Sequence, residues 1–350
     1  MIDTNKKIFT GLIDFANKTD HYISNGTRYI RTEQDEKKWL MNVKIDNTLK
    51  ILPRLTMSII TFQNERYIVV IGLDSQYINY ETEFFQQEDL NAGLATVILG
   101  EMEIPLIQHI DVFKIVNNLE SQCKEDAVEY SGHDYRDICS FYNPICVFKI
   151  LPQCPVNNNI ITRLSTIIMS DNGENLSLLF SEPTLQIFQQ VAVSGSKNIP
   201  FESLLFSLSS FDYKYSFLNV YHCLERLLMV PFIKEFYLKL DPKPNYEVFY
   251  KQFIGFNGWK PKEEHALIKI FKSLPDKLLD DLFVFRKAGD PKSVNDYDKT
   301  ARWFYKVRNT IVHSRLSGEV NIENLDWDSF IATSLQIVEF LYSEFSDYLI

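Results

Sequence analysis

The sequence predicts an α+β protein: an N-terminal mixed domain built on an antiparallel sheet, followed by an all-α helical bundle. Three observations predict it. Runs rich in β-branched residues, separated by short polar turns, mark the first half. The stretch "VSGSKNIP", residues 193–200, then breaks the apolar pattern with Gly, Ser and Pro. Beyond it, apolar residues recur at helical spacing. The expected domains are therefore 1–195, α+β, and 200–350, helical. A chain of 350 residues, 45% hydrophobic and 14% aromatic, has material for two cores.

Along the first domain, "ILPRLTMSIITF" and "RYIVVIGL" flank the polar "QNE" and predict a hairpin. "TRLSTIIMS" and "ENLSLLFSE" flank "DNG", a strong hairpin signal. "LATVILGEMEIPLI" predicts a further strand pair, and helices are expected near 7–18, 108–120 and 184–192. In the second domain, "SFLNVYHCLERLLMV", "KEEHALIKIFKSL", "DKLLDDLFVF", "NDYDKTARWFYKVRNTIVHSRL" and "DWDSFIATSLQIVEFLYSEFSDYLI" predict a bundle of four or five helices. For the fourth of these, Asn295 or Asp296 is the expected cap and Gly318 the expected stop.

Composition excludes several function classes. The N-terminus is too polar for a signal peptide and no run approaches a membrane span, so a cytoplasmic protein with no membrane partner is expected. The net charge of −10 argues against a surface that holds nucleic acid everywhere. The acidic excess lies in the first 200 residues, which leaves room for basic patches in the helical half. Five cysteines without secretory context predict buried thiols rather than disulfides. Cys139, Cys146 and Cys154 near His133 are too widely spaced for a structural zinc site, and no metal is expected. No phosphate loop, dinucleotide fingerprint or nucleophile elbow appears, so no cofactor is expected. "GHD" at 132–134 gives a metal-dependent phosphohydrolase little support, and "DPK" at 241–243 and 290–292 gives a metal-dependent nuclease little support.

The segment "RNTIVH" carries the chemistry. On a helix, with Arg302 at zero, Lys306, Asn309 and His313 fall within about 40° of it. Phe304, Val307, Ile311 and Thr300 occupy the opposite side, with Trp303 at the edge. Arg308 projects from the flank, about 140° around the axis from His313. Asn directly follows Arg308, and the helix is penultimate in the chain.

This segment resembles the HEPN domain, a helical bundle whose ribonucleases carry Arg-x4–6-His, often with Asn or another polar residue after the Arg. "YHCLERLLM" resembles the first helix of its ApeA-like members. The resemblance covers roughly 205–350 and leaves the first 200 residues outside. It implies a metal-independent endoribonuclease with Arg308, Asn309 and His313 as the catalytic set. Glu225 would be an acidic partner for Arg308, and Arg302, Lys306 and Arg315 would bind RNA. It also implies a homodimer joined through the bundle, a toxin or anti-phage role, and a sensor or regulatory N-terminal domain that meets a trigger protein. Some HEPN toxins continue the motif to a tyrosine modified by a partner nucleotidyltransferase. The matching position here is Arg315, which places that control in doubt. A non-catalytic HEPN-like module that binds nucleotide or RNA, or scaffolds a partner, is the alternative.

The residue types suit the chemistry. Metal-free RNA cleavage needs a proton taken from the 2′-OH and another given to the leaving 5′ oxygen, and histidine exchanges protons near neutral pH. A guanidinium can grip the phosphoryl oxygens as charge builds on them.

Overall fold

A computed structural model describes residues 2–24, 26–74, 84–121, 130–154, 156, 160–240, 243–256, 262–289, 295–313 and 320–349. The protein is α+β, with five strands among the described residues of the N-terminal part and helices through those of the C-terminal part. It divides into two compact units, Met1–Cys154 and Pro155–Ile350.

The first unit is built on β1 (Lys44–Lys50), β2 (Thr56–Phe62), β3 (Glu65–Ile71), β4 (Phe85–Glu88) and β5 (Ile145–Ile150). They form one antiparallel sheet in the order β1-β2-β3-β5-β4. The β2–β3 hairpin closes at the expected place, with Phe62 opposite Glu65. Gln63 and Asn64 between them both take positive φ, 51° and 67°, the twist that a two-residue hairpin requires. β3 buries five consecutive residues, Tyr67–Ile71, as a central strand covered on both faces does. One core gathers Ile60, Phe62, Tyr67 and Val69 with Ile8, Phe9 and Leu12 of α1 (Ile2–Asn17). Trp39 of α2 (Glu36–Asn42) stacks on Phe62 with ring centroids 3.8 Å apart.

The expected strand pair at "LATVILGEMEIPLI" is instead α3 (Ala92–Glu101), and every residue from Ala92 to Leu99 is buried. A helix apolar all round shows no helical period, so its sequence is indistinguishable from a buried strand. Its start is marked by Asn91, whose Oδ1 accepts from Leu94 N at 2.9 Å. α4 (Val112–Ser121) falls where a helix was expected, and α5 (Tyr135–Cys139) precedes β5.

The second unit begins at Pro155 rather than after the break at 193–200. The expected "DNG" hairpin is absent. "TRLSTIIMS" lies in α6 (Ile160–Asp171), which packs against α7 (Glu182–Ser194) and α8 (Phe201–Leu208). Arg163 explains part of this grouping. Its buried guanidinium donates to the carbonyls of Ala192 at 2.7 Å and Val193 at 2.8 Å and lies over the Phe201 ring. The Gly/Ser/Pro break is thus a turn inside the helical unit.

Among the described residues, eight helices follow the break, more than the four or five expected. After α8 come α9 (Tyr213–Glu225), α10 (Val230–Leu238), α11 (Tyr246–Phe256), α12 (Glu263–Phe271), α13 (Asp276–Gly289), α14 (Tyr297–His313) and α15 (Trp327–Glu344). Pro231 in the first turn of α10 divides the apolar run that continues from α9. Phe217 of α9, Phe304 of α14 and Phe330 of α15 meet at centroid distances of 5.0–5.5 Å. Phe271 of α12 joins Phe304 at 5.4 Å. This aromatic centre fixes α9, α12 and α14 relative to one another.

Candidate functional site

α14 starts at one of the two expected caps. Asp296 Oδ1 accepts from Asp298 N at 2.9 Å and Lys299 N at 3.2 Å. Thr300, Ala301, Phe304 and Val307 are buried, Ile311 is half-buried, and Arg302, Lys306 and His313 are exposed. The helix therefore turns its apolar side inward and its polar stripe outward. Arg315 and Gly318 lie outside the described residues, as do Cys123 and most of both "DPK" triplets.

Arg308 enters a charged network between three helices. Its Nη2 donates to Glu225 Oε1 of α9 at 3.0 Å, and its Nη1 to Asn309 Oδ1 at 3.1 Å. Nε lies 3.8 Å from Glu263 Oε1 of α12. The guanidinium sits over the Tyr221 ring, 5.6 Å from its centroid, and the Tyr221 hydroxyl donates to the same Glu263 oxygen at 2.8 Å. The Arg308, Glu225 and Glu263 side chains are 21%, 31% and 24% exposed, so the network is screened but not dry. Burial works against the Arg308 charge, yet Glu263 and then Glu225 more than offset it and hold its pKa above the ordinary value. Burial first, and then Glu263, raise the Tyr221 phenol, which stays protonated and able to donate.

The structure thus brings Glu225 and Asn309 onto Arg308. It does not bring His313 there, because that residue is exposed at the end of α14. Arg302 is paired with Glu264 of α12, while Lys306 stands in solvent. Glu263 and Tyr221 are the members that the sequence did not reveal. Neither lies near Arg308 in the chain, and only the packing of α12 and α9 on α14 introduces them.

His133, the other candidate considered from the sequence, is fully buried, and among the described residues neither ring nitrogen has a hydrogen-bond partner. Burial, and then the nearby Arg28 charge, lower its pKa to about 4, so it is neutral at neutral pH. Among the described residues no group of three or more His, Cys, Asp and Glu side chains could hold a metal ion. Burial pushes the thiols of Cys139, Cys146 and Cys223 up to about 12. Among the described residues no helix is long and apolar enough to cross a membrane. Comparison with family models, curated proteins and solved structures finds no significant match to this chain.

Proposed function

We propose that the helical unit is a HEPN-type, metal-independent endoribonuclease of a cytoplasmic toxin or anti-phage system, and that the first unit senses its trigger. The observation that carries the reading is the setting of the Arg-x4-His segment. Arg308 is held at the flank of α14 by Glu225 and Asn309, while His313 stays exposed on the same helix. In this chemistry one imidazole takes the 2′-OH proton as that oxygen attacks phosphorus. The P–O5′ bond then breaks, and a protonated imidazole returns a proton to the leaving oxygen. Arg308 would neutralise the phosphoryl oxygens during attack. Two histidines are needed, and a two-fold pair of chains supplies them as His313 from each copy.

A second reading draws on the same network. Two carboxylates and a phenol tie Arg308 to α9 and α12, which is also what a structural staple does. On that reading the unit is a non-catalytic HEPN-like module that binds RNA or nucleotide, or scaffolds a partner. RNA cleavage in EDTA by wild-type, Arg308→Ala and His313→Ala proteins separates the two. The nuclease reading expects cleavage by wild-type alone, with Asn309→Ala impaired less. Equal activity in wild-type and His313→Ala proteins would sink it.

A further inference from the structure

A cleft of about 850 Å³ opens within the second unit, beside the Arg308 network but not lined by Arg308 itself. One wall is the C-terminal end of α9, where His222 and the C-cap residue Arg226 stand one turn apart. Lys197, on the turn before α8, also lines the cleft. All three side chains are exposed, and no described residue hydrogen-bonds to them or forms an ion pair with them. Two carboxylates share the lining. Glu225 is already committed to Arg308, and Glu202 stands in the first turn of α8, where the helix dipole stabilises it. In a chain of net charge −10, Lys197 and Arg226 gathered in one concavity against a single uncommitted carboxylate, Glu202, favour an anionic occupant.

Glu225 decides which anion. It lines the cleft and also binds Arg308, so the basic residues and Arg308 flank one carboxylate. A ligand that reached past Glu225 from Arg308 would enter the cleft that Lys197, His222 and Arg226 line. A polyanion with regularly spaced charges fits this arrangement better than a compact one. We propose that the cleft is a subsite for the backbone phosphates of a single RNA strand, next to the phosphate held at Arg308. The inference rests on the endoribonuclease reading but is tested without chemistry.

The probe is a fluorescein-labelled 2′-O-methyl oligouridylate of about 12 nucleotides, which lacks the reacting hydroxyl. Its affinity for the full-length protein is measured by anisotropy over a salt series. In the Lys197→Ala/Arg226→Ala protein, Kd should rise about tenfold or more. The slope of log K against log salt should shrink by about 1.4, from two lost contacts at about 0.7 each. Glu202→Gln removes the unpaired carboxylate and should tighten binding, a gain that misfolding cannot imitate. Unchanged Kd and slope in the double variant overturn the proposal. So does a double variant that loses affinity for ADP while keeping it for the oligomer, because the cleft is then a nucleotide pocket. A wild-type protein that does not bind the oligomer overturns it too. Binding as expected, with no RNA cleavage by wild-type, would leave the subsite standing and remove the nuclease reading alone.

Discussion

At Arg308 the charge that would grip a phosphate is already matched by carboxylates on two other helices. Removing the arginine therefore has two consequences that can be measured separately. Arg308→Ala leaves Glu225 and Glu263 facing each other without a cation, and should cost about 1–2 kcal/mol in denaturant unfolding. His313→Ala touches an exposed residue and should change stability by no more than about 0.5 kcal/mol. The two variants should lose cleavage alike while differing in stability. A second residue sets a pH limit. His133 is neutral in the fold because burial and Arg28 hold its pKa at about 4 against an ordinary 6.5. The unfolded chain binds that proton more readily, so this contribution to stability is complete above about pH 6.5 and is lost as pH falls toward 4. His133→Leu, which removes no hydrogen bond among the described residues, should show a smaller drop in Tm between about pH 7.5 and pH 5 than wild-type. An equal drop would assign the acid sensitivity to other groups.

Among the elements, the joint between α2 and α3 depends on one missing side chain. A Cβ on Gly93 would lie 1.9 Å from the Glu36 carbonyl oxygen, which is backbone and cannot rotate away. Gly93→Ala must separate the two helices and should cost about 1–3 kcal/mol, read from thermal or denaturant unfolding. Stability equal to wild-type would mean that the joint adjusts freely. The β2–β3 hairpin was legible in the sequence, because the polar "QNE" interrupts two β-branched runs. α14 was, because its polar stripe and Asp296 cap are local signals. α3 was not, since an all-round apolar sequence erases the period that separates helix from strand, and α6 was not, because the "DNG" turn signal outweighed the helical spacing of Ile161, Leu164, Ile167 and Ile168. The compact units meet at Cys154/Pro155, ahead of the break that the sequence shows. The break at 193–200 is a genuine turn, but Arg163 ties α6 to its carbonyls and keeps both sides in one unit. In the candidate site, the Arg308–Glu225 pair joins two motifs visible in the chain. Glu263 and Tyr221 enter only through the packing of α12 and α9, for which no local pattern exists.

At the scale of the whole molecule, the proposed chemistry needs more than one chain. Each copy offers one His313, while His222 and His265, the other histidines of the helical half, have no described contact with Arg308. If the working unit is a two-fold pair, excess His313→Ala subunits should lower wild-type activity faster than dilution does. A linear fall in a sample shown to exchange subunits would mean that each chain cuts alone. Beneath that question lies the central claim, that this protein cleaves RNA by 2′-OH attack without metal. End-group analysis of RNA incubated with the full-length protein in EDTA tests it most directly. The account predicts 2′,3′-cyclic phosphate and 5′-hydroxyl ends, and no cut at a 2′-deoxy position. Ends carrying 5′-phosphate and 3′-hydroxyl, formed only when divalent metal is restored, would contradict it.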